Sequence, residues 1–183
     1  MLKTNRLHIR ELGDDDIDNI HKLHLLPETD EYNTLGIPET IQTTEVIVAE
    51  WRVLQKQDPR KSYIFCVDKL GDNKFIGLIA LNLGKVNYHT AEVWFKIHKD
   101  YWRQGYAAEA LARLLEFGFL DLKLHRIEAG CAVENVVSSK ALEKVGFIKE
   151  GMKRKKLPIR GGWKDNYFYG ILEEDFIKLS KNK

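Results

Sequence analysis

The chain has 183 residues, enough for one domain with a buried core, and it is 44% hydrophobic and 31% charged, as globular proteins are. Its formal net charge of +2 argues against an extended polyanion such as nucleic acid as an obligatory partner. No apolar run approaches the length that spans a bilayer, and the N-terminus lacks the hydrophobic block of a signal peptide. We therefore expect a single cytoplasmic domain over residues 1–183.

The two cysteines, Cys66 and Cys131, each lie in an apolar run and form no metal-spaced cluster. This pattern predicts small buried hydrophobic residues in a reducing compartment and no metal site. Neither cysteine has the surroundings of a nucleophile, so we do not expect a covalent intermediate on either of them.

The first third of the chain reads as a strand followed by two helices. Residues 6–12 alternate apolar and charged side chains, which predicts a strand. The acidic run that follows suits a helix N-terminus, and Pro27 is expected to end that helix. Thr43 or Thr44 would cap a second helix that reaches about Gln57. The inward residues are predicted to be Ile17, Ile20, Leu23 and His24 in the first helix, and Val46, Ile47, Glu50, Trp51 and Leu54 in the second.

From residue 62 onward strands dominate. Residues 62–84 indicate two strands joined by a Gly-Asp-Asn turn, and "TAEVWFKI", residues 90–97, is a third. A helix, a strand over residues 125–133, a short helix and a last strand over residues 166–172 follow. This order predicts an α+β (α/β layered) fold in which helices flank a mixed sheet.

Gly105 lies between the strand that ends near Ile97 and a helix with one small and apolar face. Unpaired N–H groups converge at such a helix start and, with the helix dipole, stabilise an anion that glycine lets approach. The alternative is that Gly105 only relieves a tight turn. The patterns G-x-x-x-x-G-K-[ST] and G-x-G-x-x-G are both missing, which excludes the standard P-loop and Rossmann sites.

The segment "WRQGYAAEAL" resembles the acyl-CoA pyrophosphate loop of the GNAT acetyltransferases, [QR]-x-x-G-x-[GA]. Residues 125–151, with N-x-x-S, G-F and E-G, are similar to the second half of that family's core. The match covers nearly the whole chain in the correct order. It is most similar to the Rim-type branch, whose members acetylate the N-termini of ribosomal proteins or other amines.

The resemblance implies the GNAT acyl-CoA N-acyltransferase fold, with a mostly antiparallel central sheet, and acetyl-CoA as cosubstrate without a metal. Trp102 stands where Gln or Arg is commonest, and Arg103 where many members have a second glycine. Arg103 could itself pair with a phosphate. The residues expected to contact acetyl-CoA are Phe95, Lys96, Ile97, Arg103, Gln104, Gly105, Tyr106, Ala107, Ala108 and Asn135.

Glu92 is the candidate general base, because it precedes the segment expected to contact acetyl-CoA and shares a strand face with Trp94. It resembles the glutamate of the Rim-type strand, which acts directly or through a water. Partly apolar surroundings would suit a base that works near neutral pH. The alternative is a solvent-facing glutamate on a half-exposed strand.

Ser138 is the candidate general acid. It falls on the inward stripe of its helix with Ala141, Leu142 and Val145, where a polar side chain needs a partner. Many GNAT members have a tyrosine acid where Leu142 stands here, and the resemblance implies that Ser138 protonates the CoA sulfur instead. The alternatives are a serine that bonds local backbone and, for Asn135, a helix N-cap.

These residues together predict direct acetyl transfer to a primary amine: a protein N-terminus, a polyamine or an aminoglycoside-type drug. A catalytically inactive acyl-CoA-binding regulator is the alternative from another class. The basic run over residues 149–164 would be a solvated face or attract an acidic substrate, and the loop over residues 30–40 could line the acceptor pocket. The oligomeric state stays open, a homodimer included.

Overall fold

A computed structural model describes residues 1–181. Its centre is one eight-stranded sheet in the order β1-β2-β3-β4-β5-β6-β8-β7. Neighbouring strands run antiparallel, except β5 and β6, which are parallel. The predicted mixed, mostly antiparallel sheet is therefore confirmed. The strands are β1 Leu2–Lys3, β2 Leu7–Glu11, β3 Ser62–Lys69, β4 Lys74–Leu83, β5 Thr90–Ile97, β6 Arg126–Ala132, β7 Ile148–Ile159 and β8 Gly162–Leu172.

Helices cover both faces of the sheet, as the layered pattern predicted. They are α1 Ile17–His24, α2 Pro27–Asp30, α3 Ile41–Lys56, α4 Tyr106–Glu116, α5 Val136–Lys144 and α6 Glu173–Lys181. A π-helical turn, Phe117–Asp121, extends α4. No helix in the described part of the chain combines the length and the apolar character needed to cross a membrane.

The two faces of the sheet carry separate buried cores because successive strand residues point to opposite sides. The α4 face joins residues such as Ile79 and Val93 to Leu111 and Leu114 of α4. The α1/α3 face joins Ile20, Leu23 and Val48 to Ile64, Cys66, Leu78 and Ala80 of the sheet. Cys66 and Cys131 are both buried free thiols, as predicted, and burial raises the pKa of each.

The pairing between β5 and β6 is short. Residues Thr90, Ala91, Glu92 and Val93 pair with Arg126, Ile127, Glu128 and Ala129, and the register ends there. Residues 94–97 of β5 remain paired with β4 but have no partner in β6. The sheet therefore splits into two arms beyond Val93, with main-chain groups of β5 unpaired on the β6 side.

Three expectations for the outer elements were wrong. The first helix ends at His24, and Pro27 begins α2 instead of ending α1, since proline is well tolerated in the first turn. The α3 helix begins at Ile41, with Thr40 at its N-cap instead of Thr43 or Thr44. On its inner face, Thr44 and Val48 are buried, while Val46 (59% exposed) and Glu50, which were predicted to face inward, face solvent. The basic run is exposed, as expected for a solvated face, and it forms most of β7, an edge strand that alternation did not predict because nearly all its side chains are exposed.

Candidate active site

A cavity of about 800 Å³ lies where the sheet splits. It is lined from the α4 face by the loop that enters α4, and from the other side by residues that follow α1. The start of α5 closes its third wall. Among the residues predicted for the site, those on the cavity wall are Phe95, Lys96, Ile97, Arg103, Gly105, Tyr106, Ala107, Ala108, Asn135 and Ser138.

The entry to α4 has the geometry of an anion site. Gly105 has φ 83° and is the N-cap of α4, so the helix begins at Tyr106. The N–H groups of the first helical turn have no partner within the helix and lie at the positive end of its dipole, and the residues that carry them, Tyr106, Ala107 and Ala108, line the cavity. A Cβ at Gly105 would meet just Arg6 Nη2, at 3.5 Å, so the conformation, not crowding, accounts for the glycine.

Arg103 also adopts a left-handed conformation, with φ 60°. This explains why a glycine is common at its position, since only glycine reaches that region without steric cost. The Arg103 side chain is exposed at the cavity wall, where a guanidinium can pair with a phosphate.

Two neighbours of Arg103 brace the loop. The indole Nε1 of Trp102 donates to the Ile97 carbonyl at 2.6 Å and so ties the loop to the end of β5. The amide Nε2 of Gln104 donates to the Asp100 carbonyl at 2.8 Å. Gln104 is not among the residues that line the cavity; its side chain stabilises the loop, and its contact with acetyl-CoA stays a prediction.

The sequence reading missed the support behind this loop. Arg6 donates from Nη1 to the Gln104 carbonyl at 3.1 Å and from Nε to Glu109 Oε2 at 2.6 Å, with its guanidinium 4.4 Å from the centre of the Tyr106 ring. The partners are about a hundred residues apart in the chain, so the local charge pattern of α4 does not reveal the pair. Arg113 pairs with Glu116.

The start of α5 brings Asn135 and Ser138 to the cavity. Asn135 is the N-cap, and its Oδ1 accepts from the Ser138 N–H at 3.1 Å, so the alternative role considered for Asn135 is confirmed. That bond uses the Ser138 backbone and leaves the hydroxyl for the cavity. Ser139, by contrast, is buried, and its hydroxyl lies 3.3 Å from Cys131 Sγ. Leu142 is buried in the core and offers no proton.

The structure does not bring Glu92 to the cavity wall. Glu92 is exposed, and it lies opposite Asn82 of β4 and Glu128 of β6, in the last stretch where the sheet is intact. The partly apolar surroundings predicted for it are therefore wrong. It does lie on the same sheet face as Trp94 and Lys96, which is the face covered by α1 and α3.

The segment after α1 forms the side of the cavity away from α4. Glu28, Thr29, Glu31, Tyr32 and Asn33 line it, which overlaps the loop predicted for the acceptor pocket. Glu28 is paired with Lys99 at 2.7 Å, and this ion pair lowers the pKa of its carboxyl group. These residues could not be assigned to the site from their types alone.

Beneath this segment, His24 and Asp30 are buried beside Lys96 of the cavity wall. Burial, with the positive charge of Lys96, lowers the pKa of His24 to about 3, so the imidazole is neutral. Within residues 1–181, no group of three or more His, Cys, Asp or Glu side chains is arranged to hold a metal ion.

Comparison with known proteins agrees with this geometry. The model of the acetyltransferase (GNAT) domain family matches residues 6–148. Among Bacillus subtilis proteins, YjcK, which carries the name of an N-acetyltransferase, is 32% identical over 137 residues, 74% of this chain and 75% of that protein. The uncharacterized N-acetyltransferase YnaD is 41% identical over 88 residues, 48% of this chain and about half, 52%, of its own. YdaF, whose name assigns it to ribosomal N-acetyltransferases, is 32% identical over 58% of both chains.

Solved structures match over nearly the full length. A GNAT-family acetyltransferase from Bacillus anthracis superposes with a TM-score of 0.82 at 32% identity, covering 94% of this chain and 98% of that one. The spermidine N-acetyltransferase of Vibrio cholerae, solved with CoA and spermine, gives 0.83 at 25% identity, covering 95% and 99%. The chain belongs to the GNAT acetyltransferase family. It is an acetyl-CoA-dependent N-acetyltransferase by class, and its relatives include ribosomal-protein acetyltransferases.

Proposed function

We propose that this enzyme moves an acetyl group from acetyl-CoA directly to a primary amine that enters from the α1/α3 side of the sheet. The observation that carries the proposal is the cavity at the split between β5 and β6. It joins the start of α4, an anion site, to Ser138 and to the segment after α1. A ligand with phosphates at one end and a reactive group at the other fits that path.

In this proposal the pyrophosphate of acetyl-CoA binds the N–H groups at the start of α4, with Arg103 beside it. The pantetheine arm resembles a peptide and can pair with the main-chain groups of the Phe95–Ile97 segment that β4 and Trp102 leave unpaired. Asn135 accepts from the Ser138 N–H and so holds the first turn of α5, where Ser138 lines the cavity.

Acetyl transfer needs a neutral amine, support for the developing oxyanion and a proton for the departing thiolate. We assign the last role to Ser138, since this residue lines the cavity and Leu142 cannot donate. Glu92 can accept the amine proton only through water, because it lies outside the cavity wall. An α-amine, with a pKa of about 8, loses its proton far more readily than a lysine amine at about 10.4.

The acceptor is a protein N-terminus or a small amine such as a polyamine. YdaF supports the first class, and the Vibrio cholerae enzyme, solved with spermine, supports the second. An aminoglycoside-type acceptor and an inactive acyl-CoA-binding regulator are the alternatives.

The test is release of the CoA thiol in the presence of a panel of amines: peptides with free N-termini, spermidine, an aminoglycoside and no acceptor. We expect acceptor-dependent release with at least one peptide or small amine, and binding of acetyl-CoA by calorimetry. Binding without release across the panel would establish the regulator instead. Failure to bind acetyl-CoA would overturn the proposal entirely.

A further inference from the structure

Lys96 is a buried cation without a partner. The residue is 6% exposed, lies on the cavity wall, and its Nζ has no hydrogen-bond partner among the described residues. An ammonium ion that is removed from water without a partner is strongly disfavoured. Burial accordingly lowers the pKa of Lys96 to about 8, with Asp30 opposing this shift. Such a group is typical of a site that a ligand completes.

The groups around Lys96 do not neutralise it. His24 of α1 is neutral, and its Nδ1 also has no partner. Asp30 of α2 is the nearby carboxylate, but its Oδ2 faces Arg160 Nε at 3.6 Å, and its Oδ1 accepts no hydrogen bond in the described part of the chain. Trp94, two residues earlier on the same face, packs against Trp51 of α3. Asp30 is therefore shared between Lys96 and Arg160, and it makes a hydrogen bond to neither.

The position of Lys96 separates it from the phosphates of acetyl-CoA. Lys96 lies directly opposite Leu78 of β4, which belongs to the core beneath α1 and α3. The start of α4, which suits the phosphates, lies on the other face of the sheet. The partner that Lys96 lacks therefore comes from the molecule that enters on the α1/α3 side, which is the acceptor in the proposed function.

We propose that the acceptor carries a carboxylate close to the amine that is acetylated, and that this carboxylate binds the ammonium of Lys96. The acceptor class is thus an acidic amine, such as a peptide with an acidic residue near its N-terminus or a free amino acid. A polyamine would instead bring its own positive charge against Lys96. This inference rests on the proposed acetyl transfer and narrows its acceptor.

Matched acceptors test the proposal. Peptides with Asp at the first, second or third residue are compared with peptides that have Asn there, and a free amino acid is compared with its amide. We expect wild type to favour at least one carboxylate over its neutral partner by about tenfold or more in kcat/KM, as for a charge-assisted hydrogen bond. Lys96→Met should abolish that preference, and Lys96→Gln should reduce it.

Lys85→Met, at an exposed position in the loop between β4 and β5, is the charge-matched control and should keep the preference. Lys96→Met should melt no lower than wild type, because it removes an unpaired buried charge. Equal rates within every pair, or a preference that persists without Lys96, would overturn the inference while leaving acetyl transfer intact. Spermidine as the best acceptor would also overturn it. An absence of transfer to any amine would overturn the proposed function itself.

Discussion

The ion pair between Arg6 and Glu109 connects the turn between β1 and β2 to the first turn of α4. Glu109 accepts from Arg6 Nε at 2.6 Å and from the Thr4 hydroxyl at 2.6 Å, and Arg6 reaches on to the Gln104 carbonyl. Burial opposes ionisation of Glu109, but these bonds outweigh it and lower its pKa. The pair also neutralises a carboxylate that would otherwise repel phosphates at the helix start.

Arg6→Met should therefore weaken acetyl-CoA binding roughly tenfold, about the effect of losing one charged hydrogen bond, with little change in kcat. Calorimetric titration with acetyl-CoA measures the affinity. Arg113→Met, on the same helix but paired with Glu116, should leave it unchanged. Equal affinities for wild type and Arg6→Met would show that the pair does not position the loop.

Gly105→Ala forces a side chain into a left-handed conformation, at a cost of about 1–2 kcal/mol in the free energy of unfolding. Gly71→Ala is the matched control, since Gly71 has φ 102° in the turn between β3 and β4, with nothing within 4 Å of an added Cβ. We expect similar losses of stability in urea but weaker acetyl-CoA binding in Gly105→Ala alone. Weakened binding in both variants would point to a general loss of stability.

Substitutions of two adjacent serines, Ser138 and Ser139, distinguish a catalytic role from a packing role. Ser138→Ala should lower kcat by about a hundredfold, the usual range for a lost general acid, while acetyl-CoA affinity is kept. Ser139→Ala changes a buried hydroxyl beside Cys131 and should retain kcat. Turnover that is unchanged in Ser138→Ala with the best acceptor removes Ser138 from the mechanism.

Glu92 and Glu128 are neighbouring carboxylates on paired strands. If Glu92 receives the amine proton through water, Glu92→Gln should flatten the rise of kcat/KM with increasing pH. Glu128→Gln, which changes a carboxylate that pairs with Arg126 at 2.8 Å, should preserve the rise. Superimposable profiles for Glu92→Gln and wild type would exclude a base role.

His24 makes stability dependent on pH. Its pKa is about 3 in the folded protein and about 6.5 when unfolded, so the neutral imidazole stabilises the fold above pH 6.5, and this contribution is lost as the pH falls toward 3. When the pH falls from 7 to 5, the loss of this contribution should lower the free energy of unfolding of the wild type by about 2 kcal/mol. His24→Phe, which keeps an aromatic ring against Trp51, should remove that part of the loss in urea unfolding. An identical pH dependence in both proteins would contradict buried, neutral His24.

The elements that could be predicted from the sequence are those with a recognisable local pattern of apolar, turn or glycine residues. Apolar runs on either side of a turn located β3 and β4, and the alternation of residues 90–97 located β5. It missed β7, whose exposed side chains carry no alternation, and misjudged Val46, since an apolar residue can lie on the outer face of a helix. The start of α4 was predictable because glycine there meets a conformational requirement.

Contacts between distant parts of the chain were not predictable. Residue type does not say that Arg6 would meet Glu109, about a hundred residues further along the chain. A lysine on a strand is ordinarily exposed, so the burial of Lys96 without a partner emerges from the packing of α1 and α2 above β5.

The short pairing of β5 with β6 has a consequence for how such enzymes diversify. If the donor is recognised along β5 by amides and carbonyls, every residue type except proline supplies the same groups there. The side chains of β5 that face α1 and α3, where the amine enters, are then free to vary without loss of acetyl-CoA binding. One scaffold can therefore keep a common acetyl source while selection alters, residue by residue, which amine it modifies.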